Sequence, residues 1–311
     1  MDLNLSKEWP FASIVIPTFN RKSLLSYCLK SLLDLDYPPG KMEIIIVDDG
    51  SSDGTGEFLL SNFKLSFGRI KYLRSEWNKG PAASRNAGFA QARGELIVSM
   101  DDDCRVEISW LKDLAETFNC FPAASAVGGS VVNPTALPLA EASHILEFSS
   151  WLPLGNTRRV NDIPACNIAY KKADIQGLSF REDFKGSVYE DALFNRDLTS
   201  SGKAIIFNPK IKVFHYKWPQ DFSKDDFYKS QARYATGFLK GGFLVHGFWG
   251  KFLIRYKIFN LLCPRLALVF LRCLKSKFYL SQFIGNFSLI LEGEWYRSKI
   301  IYRGLNWRVK R

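Results

Sequence analysis

Three consecutive aspartates, Asp101, Asp102 and Asp103, constrain the fold of this chain more than any other feature. They follow a short apolar run, residues 95–99, that predicts a buried β-strand. Carboxylates at the end of such a strand are costly unless a positive charge lies among them. Mg²⁺ and Mn²⁺ take oxygen ligands, commonly one or two carboxylates together with substrate phosphates. In an extended chain Asp101 and Asp103 share a side and Asp102 faces away, so we predict that Asp101 and Asp103 handle nucleotide and metal. Taken alone, three acids in a row more often form a solvated turn.

The residues before the aspartates alternate strand-like apolar runs with helical patterns. Strands are predicted at residues 13–18, 43–47 and 69–73, and helices after residue 20 and over residues 80–92. This order predicts a parallel α/β sheet with right-handed crossovers, in which ligands bind beyond the carboxyl ends of the strands. Polar clusters at Thr18–Arg21, Asp48–Asp53 and Asp101–Asp103 all fall at those ends. The pattern therefore indicates a nucleotide site at one edge of the sheet.

Three longer runs carry a family resemblance: VIPTFNR at residues 15–21, VDDGSSDGT at 47–55 and NKGPAASRNAGFAQARGELIVSMDDD at 78–103. In order and spacing they resemble the bacterial-type family-2 glycosyltransferases of GT-A fold, across about the first 110 residues. The resemblance implies a Rossmann-like, mostly parallel sheet and a nucleotide-diphosphate sugar donor. It also implies a divalent metal, Mn²⁺ or Mg²⁺, and inversion at the anomeric carbon.

The resemblance also implies roles for single residues of these runs. The implied donor-binding residues are Thr18 and Asp49 at the nucleotide base, Asn78, Gly80 and Arg85 at ribose and phosphate, and Asp101 and Asp103 as the DxD motif. A carboxylate can accept the N3–H of uracil or thymine, which favours a UDP- or dTDP-sugar. Arg85 can pair with a phosphate oxygen, although a lone Arg on a helix is more often a surface residue. Asp48 and Asp53 are predicted to be turn and capping residues.

Further along the chain, three segments resemble the rest of the family's site. The stretch 163–170 resembles the short strand that carries an Asn beside the donor sugar, here Asn167, although a satisfied buried amide fits as well. Glu190 and Asp191 begin a helical pattern, where simple capping of the helix is the alternative. The family's catalytic base is the Asp of such a pair, which implies that Asp191 is the base and Glu190 its neighbour at the donor. A predicted strand over 208–215 ends in His215, which the resemblance implies to hold the metal or the diphosphate, with a core histidine equally open.

Two other segments bear on the acceptor. Residues 141–160 show no clean period, and we predict a flexible loop near the acceptor. Residues 231–238 resemble the helix that follows the catalytic base, but they lack the Trp of the QxxRW pattern found in processive members. We therefore predict a non-processive enzyme that transfers one sugar.

The net positive charge of the chain is confined to its last fifth. Residues 251–311 hold thirteen Lys and Arg and two acids, which accounts for the entire net charge of +11. The split indicates a boundary near residue 250, and we predict a GT-A domain over 1–245 and a helical tail over 246–311. Basic residues mixed with Leu, Phe and Trp favour an amphipathic helix in the interface of an anionic membrane. No uncharged run reaches the ~18–20 residues that span a bilayer. A dimerisation arm is the alternative, and the high aliphatic content argues against nucleic acid.

These observations together predict an inverting, metal-dependent glycosyltransferase. Its acceptor would be a hydroxyl of a lipid-linked saccharide in cell-surface polysaccharide synthesis, at the inner face of the cell membrane. The six cysteines are scattered without a CxxC pair, and the first ten residues carry no apolar run, so we expect reduced thiols, a cytoplasmic location and no signal peptide. A sugar nucleotidyltransferase is disfavoured, because no glycine-rich loop follows the first strand. A catalytically silent membrane-surface scaffold with the same fold stays open as the alternative.

Overall fold

A computed structural model describes residues 9–63, 68–184, 188–217, 221–240 and 259–309. In these residues a nine-stranded mixed sheet is covered by helices and followed by a C-terminal helical layer. The strands are β1 (Ala12–Thr18), β2 (Met42–Asp48), β3 (Ile70–Arg74), β4 (Leu96–Ser99), β5 (Cys104–Val106), β6 (Ala124–Val132), β7 (Arg158–Val160), β8 (Ile168–Lys171) and β9 (Ala204–His215). The helices are α1 (Lys22–Leu33), α2 (Thr55–Asn62), α3 (Pro81–Gln91), α4 (Trp110–Cys120), α5 (Pro138–Phe148), α6 (Glu190–Ser200), α7 (Lys224–Lys240), α8 (Phe259–Cys273), α9 (Lys277–Gly285) and α10 (Phe287–Val309).

The sheet has the strand order β3-β2-β1-β4-β8-β6-β9-β5, and β7 pairs with β9. The first four strands are mutually parallel, as the sequence predicts, and β8 joins them in antiparallel orientation. Every residue of β1 and β2 is buried, because helices cover both faces of the sheet there. Double burial explains why these strands read as unbroken apolar runs.

Successive residues of β1 enter different cores. Ile14 and Ile16 pack in one hydrophobic cluster with residues of α1 and α4, whereas Val15 packs in another with residues of α3. Helix α3 lies very close to the sheet at Gly88, where a Cβ would come within 2.3 Å of Val15 Cγ1. Because Gly88 allows this close approach, the N-terminus of α3 is held against the carboxyl ends of β1 and β2.

The prediction of a flexible loop over residues 141–160 is wrong for most of that segment. Residues 138–148 form α5, a 3₁₀ turn covers 149–151, and β7 follows at 158–160. Helix α5 contacts α7, α9 and α10, and its last seven residues are all buried. A helix surrounded by other elements needs no polar face, so its sequence shows no amphipathic period.

The C-terminal helices pack on the domain that precedes them. Helix α10 contacts both α5 and α7, and α8 contacts the 3₁₀ turn after α5. The predicted helical extension is therefore confirmed. Its predicted boundary at residues 245/246 lies outside the described residues, and the division into two domains stays a prediction. Among the described helices, none combines the length and the hydropathy that crossing a membrane requires.

Candidate active site

The three aspartates form a turn after β4, and the turn gathers them around two cationic groups. Asp103 Oδ1 lies 2.9 Å from His215 Nε2, and Asp101 Oδ2 lies 4.0 Å from the same nitrogen. Arg21 Nη1 lies 3.1 Å from both Asp102 Oδ1 and Asp103 Oδ2. The grouping of Asp101 with Asp103 matches the expectation, but the extended geometry behind it is wrong. The Cys104 amide donates to Asp101 O, which closes a turn, so Asp102 does not face away from Asp103.

Strand pairing places His215 beside Asp103. Cys104 is directly opposite His215 in the antiparallel register of β5 and β9, and Asp103 immediately precedes β5. Burial lowers the pKa of His215, but the Asp103 carboxylate outweighs it and raises the pKa to about 9. Burial likewise raises the pKa of Asp103, but His215 and Arg21 hold it well below its ordinary value. The two side chains therefore form a buried ion pair at the edge of the sheet.

Thr18 and Arg21 both contact Asp102. The Thr18 hydroxyl donates to Asp102 Oδ2 at 2.8 Å. Burial and the neighbouring charge of Asp103 raise the pKa of Asp102 to about 7, against the opposing effect of Arg21. Thr18 thus lies at the predicted edge, but in this structure its hydroxyl supports an aspartate.

Arg85 links the aspartates to α6. Its Nη2 donates to Asp101 Oδ1 at 2.7 Å, and its Nη1 donates to Glu190 Oε1 at 2.9 Å. The side chain is almost completely buried, so the alternative of a surface helix residue is wrong. Burial and the charge of Asp191 raise the pKa of Glu190 to about 7, although Arg85 opposes the shift. A phosphate would have to share Arg85 with two carboxylates.

Asp191 lies in the first turn of α6, where backbone amides orient its carboxylate. Oδ2 accepts from the Ala165 amide at 3.0 Å, and Oδ1 accepts from the Ala192 amide at 2.8 Å. The preceding Tyr189 has φ +88°, a left-handed conformation that is rare for a residue other than glycine. Burial and the charge of Asp191 raise the pKa of nearby Asp162 to about 7. The first turn of a helix is a favourable place for a carboxylate, because the helix dipole is positive there.

Asp49 holds the loop before α3. Its Oδ1 accepts from the Lys79 amide at 2.9 Å, and its Oδ2 accepts from the Gly80 amide at 2.7 Å. Gly80 has φ +96°, which a residue with a Cβ rarely adopts. The exposed Asn78 lies beside Gly50, where a Cβ would come within 3.3 Å of the Asn78 nitrogen. The predicted base- and ribose-binding residues are therefore adjacent, with Asp49 fastening their loop.

The predictions for Asp48 and Asp53 are confirmed. Asp48 Oδ1 accepts from the Ser51 amide at 2.7 Å, which closes the turn after β2. Asp53 accepts from the amides of Lys22 and Thr55, the first residues of α1 and α2. One carboxylate thus caps two helix N-termini.

Asn167 is a fully buried amide that the protein satisfies by itself. Its Nδ2 donates to the carbonyls of Ser130 and Ile211, at 2.9 Å and 3.1 Å. Its Oδ1 accepts from Trp110 Nε1 at 2.9 Å. The structure thus corrects the assignment to the donor sugar and supports the alternative, because every polar group of this amide has a partner within the fold.

The donor atoms near Asp103 suit a hard divalent cation. Asp103 Oδ1 and His215 Nε2 lie 2.9 Å apart, so both could contact one ion if His215 gave up the proton that it shares with Asp103. Asp101 adds a second carboxylate and is partly exposed. Cys104 also has its Sγ within 4.8 Å of the Asp103 and His215 ligand atoms. Burial raises the pKa of the Cys104 thiol well above its usual value, so it is a poor ligand, and we select Asp101, Asp103 and His215.

Comparison with known proteins identifies the chain. The sequence model described as glycosyl transferase family 2 matches residues 13–176, more than half of the chain. The chain belongs to this family. The family resemblance found in the sequence is thereby confirmed.

Two curated relatives align with part of the chain. Glycosyltransferase AglE of Haloferax volcanii is 32% identical over 127 residues, which cover 41% of each protein. The GalNAc(5)-diNAcBac-PP-undecaprenol β-1,3-glucosyltransferase of Campylobacter jejuni is 37% identical over 111 residues, 35% of each protein. The matches thus span less than half the length of these two relatives.

Solved structures share the fold over nearly the whole chain. A mannosyltransferase from Pyrobaculum calidifontis, in complex with GDP-Man and Mn²⁺, has a TM-score of 0.63 at 16% identity and covers 96% of this chain and 86% of its own. Staphylococcus aureus TarS in complex with UDP has a TM-score of 0.53 at 20% identity and covers 96% and 92%. The predicted GT-A fold is confirmed.

Three charged residues near the site were not selected from the sequence: Arg21, Asp162 and Lys217. The sequence did point to Arg21, because this residue ends the VIPTFNR run shortly after a predicted strand. Lys217 follows His215 by two residues and pairs with the buried Glu147. Asp162 accepts from Asn195 Nδ2 on α6 at 2.7 Å, a tertiary contact without a sequence signal.

Proposed function

We propose that this protein transfers a single sugar, with inversion, from a nucleotide-diphosphate donor to an acceptor hydroxyl. The observation that carries the proposal is the pairing of Asp103 with His215 beside Asp101 at the carboxyl edge of the parallel strands. Parallel sheets bind their ligands at this edge. Asp191 lies in the same region, joined to Asp101 through Arg85 and Glu190.

A divalent cation, Mn²⁺ or Mg²⁺, would be held by Asp101, Asp103 and His215. When bound, it supplies positive charge against the negative charge that grows on the leaving diphosphate. The chain itself prepares this position, since Arg21 and His215 keep Asp103 ionised. The exposed part of the Arg21 side chain lets it move aside or contact a phosphate oxygen.

Asp191 is the proposed general base. The Ala165 and Ala192 amides orient its carboxylate, which could accept the proton of an acceptor hydroxyl. Attack of that oxygen on the face opposite the diphosphate inverts the anomeric carbon. Glu190 and Arg85 fix α6 relative to Asp101, which sets the distance between the base and the diphosphate end of the site.

The donor proposed is a UDP- or dTDP-sugar. Asp49 holds the loop of Asn78 and Gly80 close to Thr18, and we place the base and ribose beside this loop. Related folds support a nucleotide-sugar donor in general, since the neighbours described above contain GDP-Man with Mn²⁺, or UDP. A pyrimidine base is proposed from the acceptor capacity of Asp49.

The acceptor proposed is a lipid-linked saccharide of cell-surface polysaccharide synthesis. The Campylobacter relative is named for an undecaprenol-linked substrate, and this supports the same class here. We place the enzyme in the cytoplasm, peripherally on the inner face of the cell membrane. Transfer of one sugar per binding event is proposed, because residues 231–234 lack the Trp of processive members.

Calorimetric titration tests the donor site. UDP, dTDP and GDP are titrated with Mn²⁺, with Mg²⁺ and with chelator into wild type, Asp103→Asn and Asp34→Asn, an exposed control on α1's C-terminus. We expect metal-dependent binding of UDP or dTDP that is lost in Asp103→Asn and kept in Asp34→Asn. Failure of folded protein to bind any of these diphosphates overturns the proposal and favours the silent scaffold.

A further inference from the structure

The C-terminal helices present an apolar surface on the side away from the domain. Helix α8 buries Val269 and Cys273, while its opposite side exposes aliphatic side chains. Among the described large hydrophobic side chains of the three helices, Phe278 and Ile284 are the most exposed, each 63% accessible. We call this surface the outer face and define it by Leu268, Leu271, Phe278, Ile284, Leu291 and Trp295.

The outer face is continuous across the three helices. Phe283 of α9 is buried, and its ring centroid lies 5.4 Å from that of Phe270 on α8 and 5.7 Å from that of Phe287 on α10. Phe270 and Phe287 are themselves partly exposed. Along α10, exposed Phe287, Leu291 and Trp295 recur every four residues and so share one side of the helix.

The exposed charged side chains of the C-terminal helices beside the outer face are positive. Lys275 lies between α8 and α9, Lys277 begins α9, and both are exposed. Lys299 and Arg303 are exposed on α10 beyond Trp295.

Residues 251–311 contain only two acids, and both are engaged elsewhere. Glu294 is buried and pairs with Arg265, while Glu292 pairs with Lys224 of α7. The lysines and Arg303 at the outer face therefore have no acidic neighbours on these helices.

We propose that the outer face lies in the headgroup region of an anionic lipid bilayer. Apolar side chains on one side of a helical layer enter the boundary between headgroups and acyl chains, and Lys and Arg beside them attract anionic lipid. Long basic side chains reach the phosphates while their stems cover apolar surface. The inference deepens the proposed function by naming the surface that meets the membrane.

The position of α8 fits a lipid-linked acceptor. Arg265 on α8 donates to Leu146 O at 3.2 Å and hydrogen bonds with Tyr189, the residue before Glu190 and Asp191. A membrane seated on the outer face would thus be one helix away from the N-terminus of α6. A saccharide anchored in the membrane can reach the proposed general base, Asp191, only if the membrane surface lies close to it.

A second copy of the chain fits the outer face less well. Two copies would each bring the same uncompensated positive charge to the contact, and like charges across an interface oppose association. Nucleic acid is also disfavoured, since aliphatic side chains such as Leu268, Leu271 and Ile284 offer it neither stacking nor hydrogen bonds.

Vesicle flotation of the full chain tests the inference. Vesicles of phosphatidylcholine alone and of phosphatidylcholine with phosphatidylglycerol are mixed with wild type and with the triple variant Leu271→Ser, Phe278→Ser, Ile284→Ser. We expect wild type to float only with the anionic vesicles, and the triple variant to lose about tenfold or more in partitioning. Added salt should weaken the wild-type binding.

Matched control variants test whether vesicle binding depends on the outer face or on exposed apolar and basic side chains anywhere on the protein. The triple variant Tyr27→Ser, Leu60→Ser, Ile108→Ser changes equally exposed apolar side chains of the front domain and should float like wild type. Lys275→Glu with Lys277→Glu should lose binding, whereas Lys30→Glu with Lys210→Glu should retain it, since both pairs are exposed.

Three outcomes overturn the inference. In the first, wild type fails to float with anionic vesicles, and in the second, the Leu271→Ser, Phe278→Ser, Ile284→Ser variant floats as well as wild type. The third outcome is that wild type sediments as a dimer and this variant as a monomer. Asp191→Asn should float like wild type, so loss of sugar transfer and loss of membrane binding are distinguishable.

Discussion

The carboxyl edge of the sheet and the C-terminal helical layer both bury charged side chains, but they balance the charges differently. At the edge, Asp101, Asp102, Asp103 and Glu190 share Arg21, Arg85 and His215. In the helical layer, the single buried Glu294 lies between Arg265 and Arg297. Acids are in excess in the first region and bases in the second.

The two charge clusters also differ in their accessibility to solvent. Asp101 and Arg21 at the edge are partly accessible, so a ligand can replace one charge partner by another. Glu294 and Arg297 are inaccessible, and Arg297 also donates to Gln231 of α7. The same residue types therefore make an adaptable site in one region and a fixed helix contact in the other.

Replacing the proposed general base, Asp191, should have the largest effect at the carboxyl edge of the sheet. Asp191→Asn keeps the size of the side chain but cannot accept the acceptor's proton, so we expect the turnover rate to fall about a thousandfold. Affinity for the nucleotide diphosphate should stay unchanged in calorimetry. Asp197→Asn, at a half-buried position of the same helix, serves as the control and should keep wild-type turnover. An equal loss in both variants would show that α6, and not the carboxylate, is responsible.

Breaking the buried pair tests the helical layer. Glu294→Gln leaves Arg265 and Arg297 without their counter-charge, and we expect the free energy of unfolding to fall by about 3 kcal/mol or more. Denaturation by urea measures the change.

Glu292→Gln is the matched control for Glu294→Gln, two residues earlier on α10. Glu292 pairs with the solvent-exposed Lys224, so its loss should cost under about 1 kcal/mol. Equal effects of the two substitutions would mean that the helical layer does not depend on its buried charge.

The pH dependence of stability tests the contact between the two regions. There the Phe148 ring packs between two buried histidines, His144 of α5 and His215 at the edge of the sheet. Burial lowers the pKa of His144 to about 4, although the Val131 carbonyl and Glu147 oppose the shift. The unfolded chain therefore takes up the proton first as pH falls, so stability decreases from pH 6.5 towards 4. We expect this histidine to remove about 2 kcal/mol between pH 8 and pH 5.

His144→Phe removes the titrating group while retaining a ring against Phe148 and Tyr279. Urea denaturation at several pH values should show a shallower loss of stability on the acid side in this variant than in wild type. Parallel pH profiles for the two proteins would contradict the assignment.

Local sequence patterns were enough to predict a structural feature wherever that feature depends on residues close together in the chain. The unbroken apolar runs of β1 and β2 predicted buried parallel strands, and parallel strands bring Thr18, Asp49 and Asp101 to one edge. Asp48 closes its own turn and Asp53 caps α2 two residues later, so these local roles could also be predicted. The second contact of Asp53, with the Lys22 amide of α1, depends on the tertiary structure. The family resemblance added predicted roles for Asp103, Asp191 and His215, and those roles belong to the proposed function.

Contacts between distant segments were beyond prediction from local pattern. Asn167 is satisfied by Ser130, Ile211 and Trp110, and no spacing in the sequence shows that these partners converge. Helix α5 lacks a period because it is enclosed by elements from the other end of the chain.

By itself, then, the sequence determined the parallel strands, the acidic edge and a positively charged C-terminal segment, because composition and short-range periodicity encode them. Only the tertiary structure decided which charges neutralise one another. Arg85 meets Asp101 and Glu190, and Glu294 meets Arg265, across large separations along the chain. Pairing depends on distances of a few ångströms between atoms that only folding brings together, and those distances fix both the pKa of each group and the surface left to face a partner.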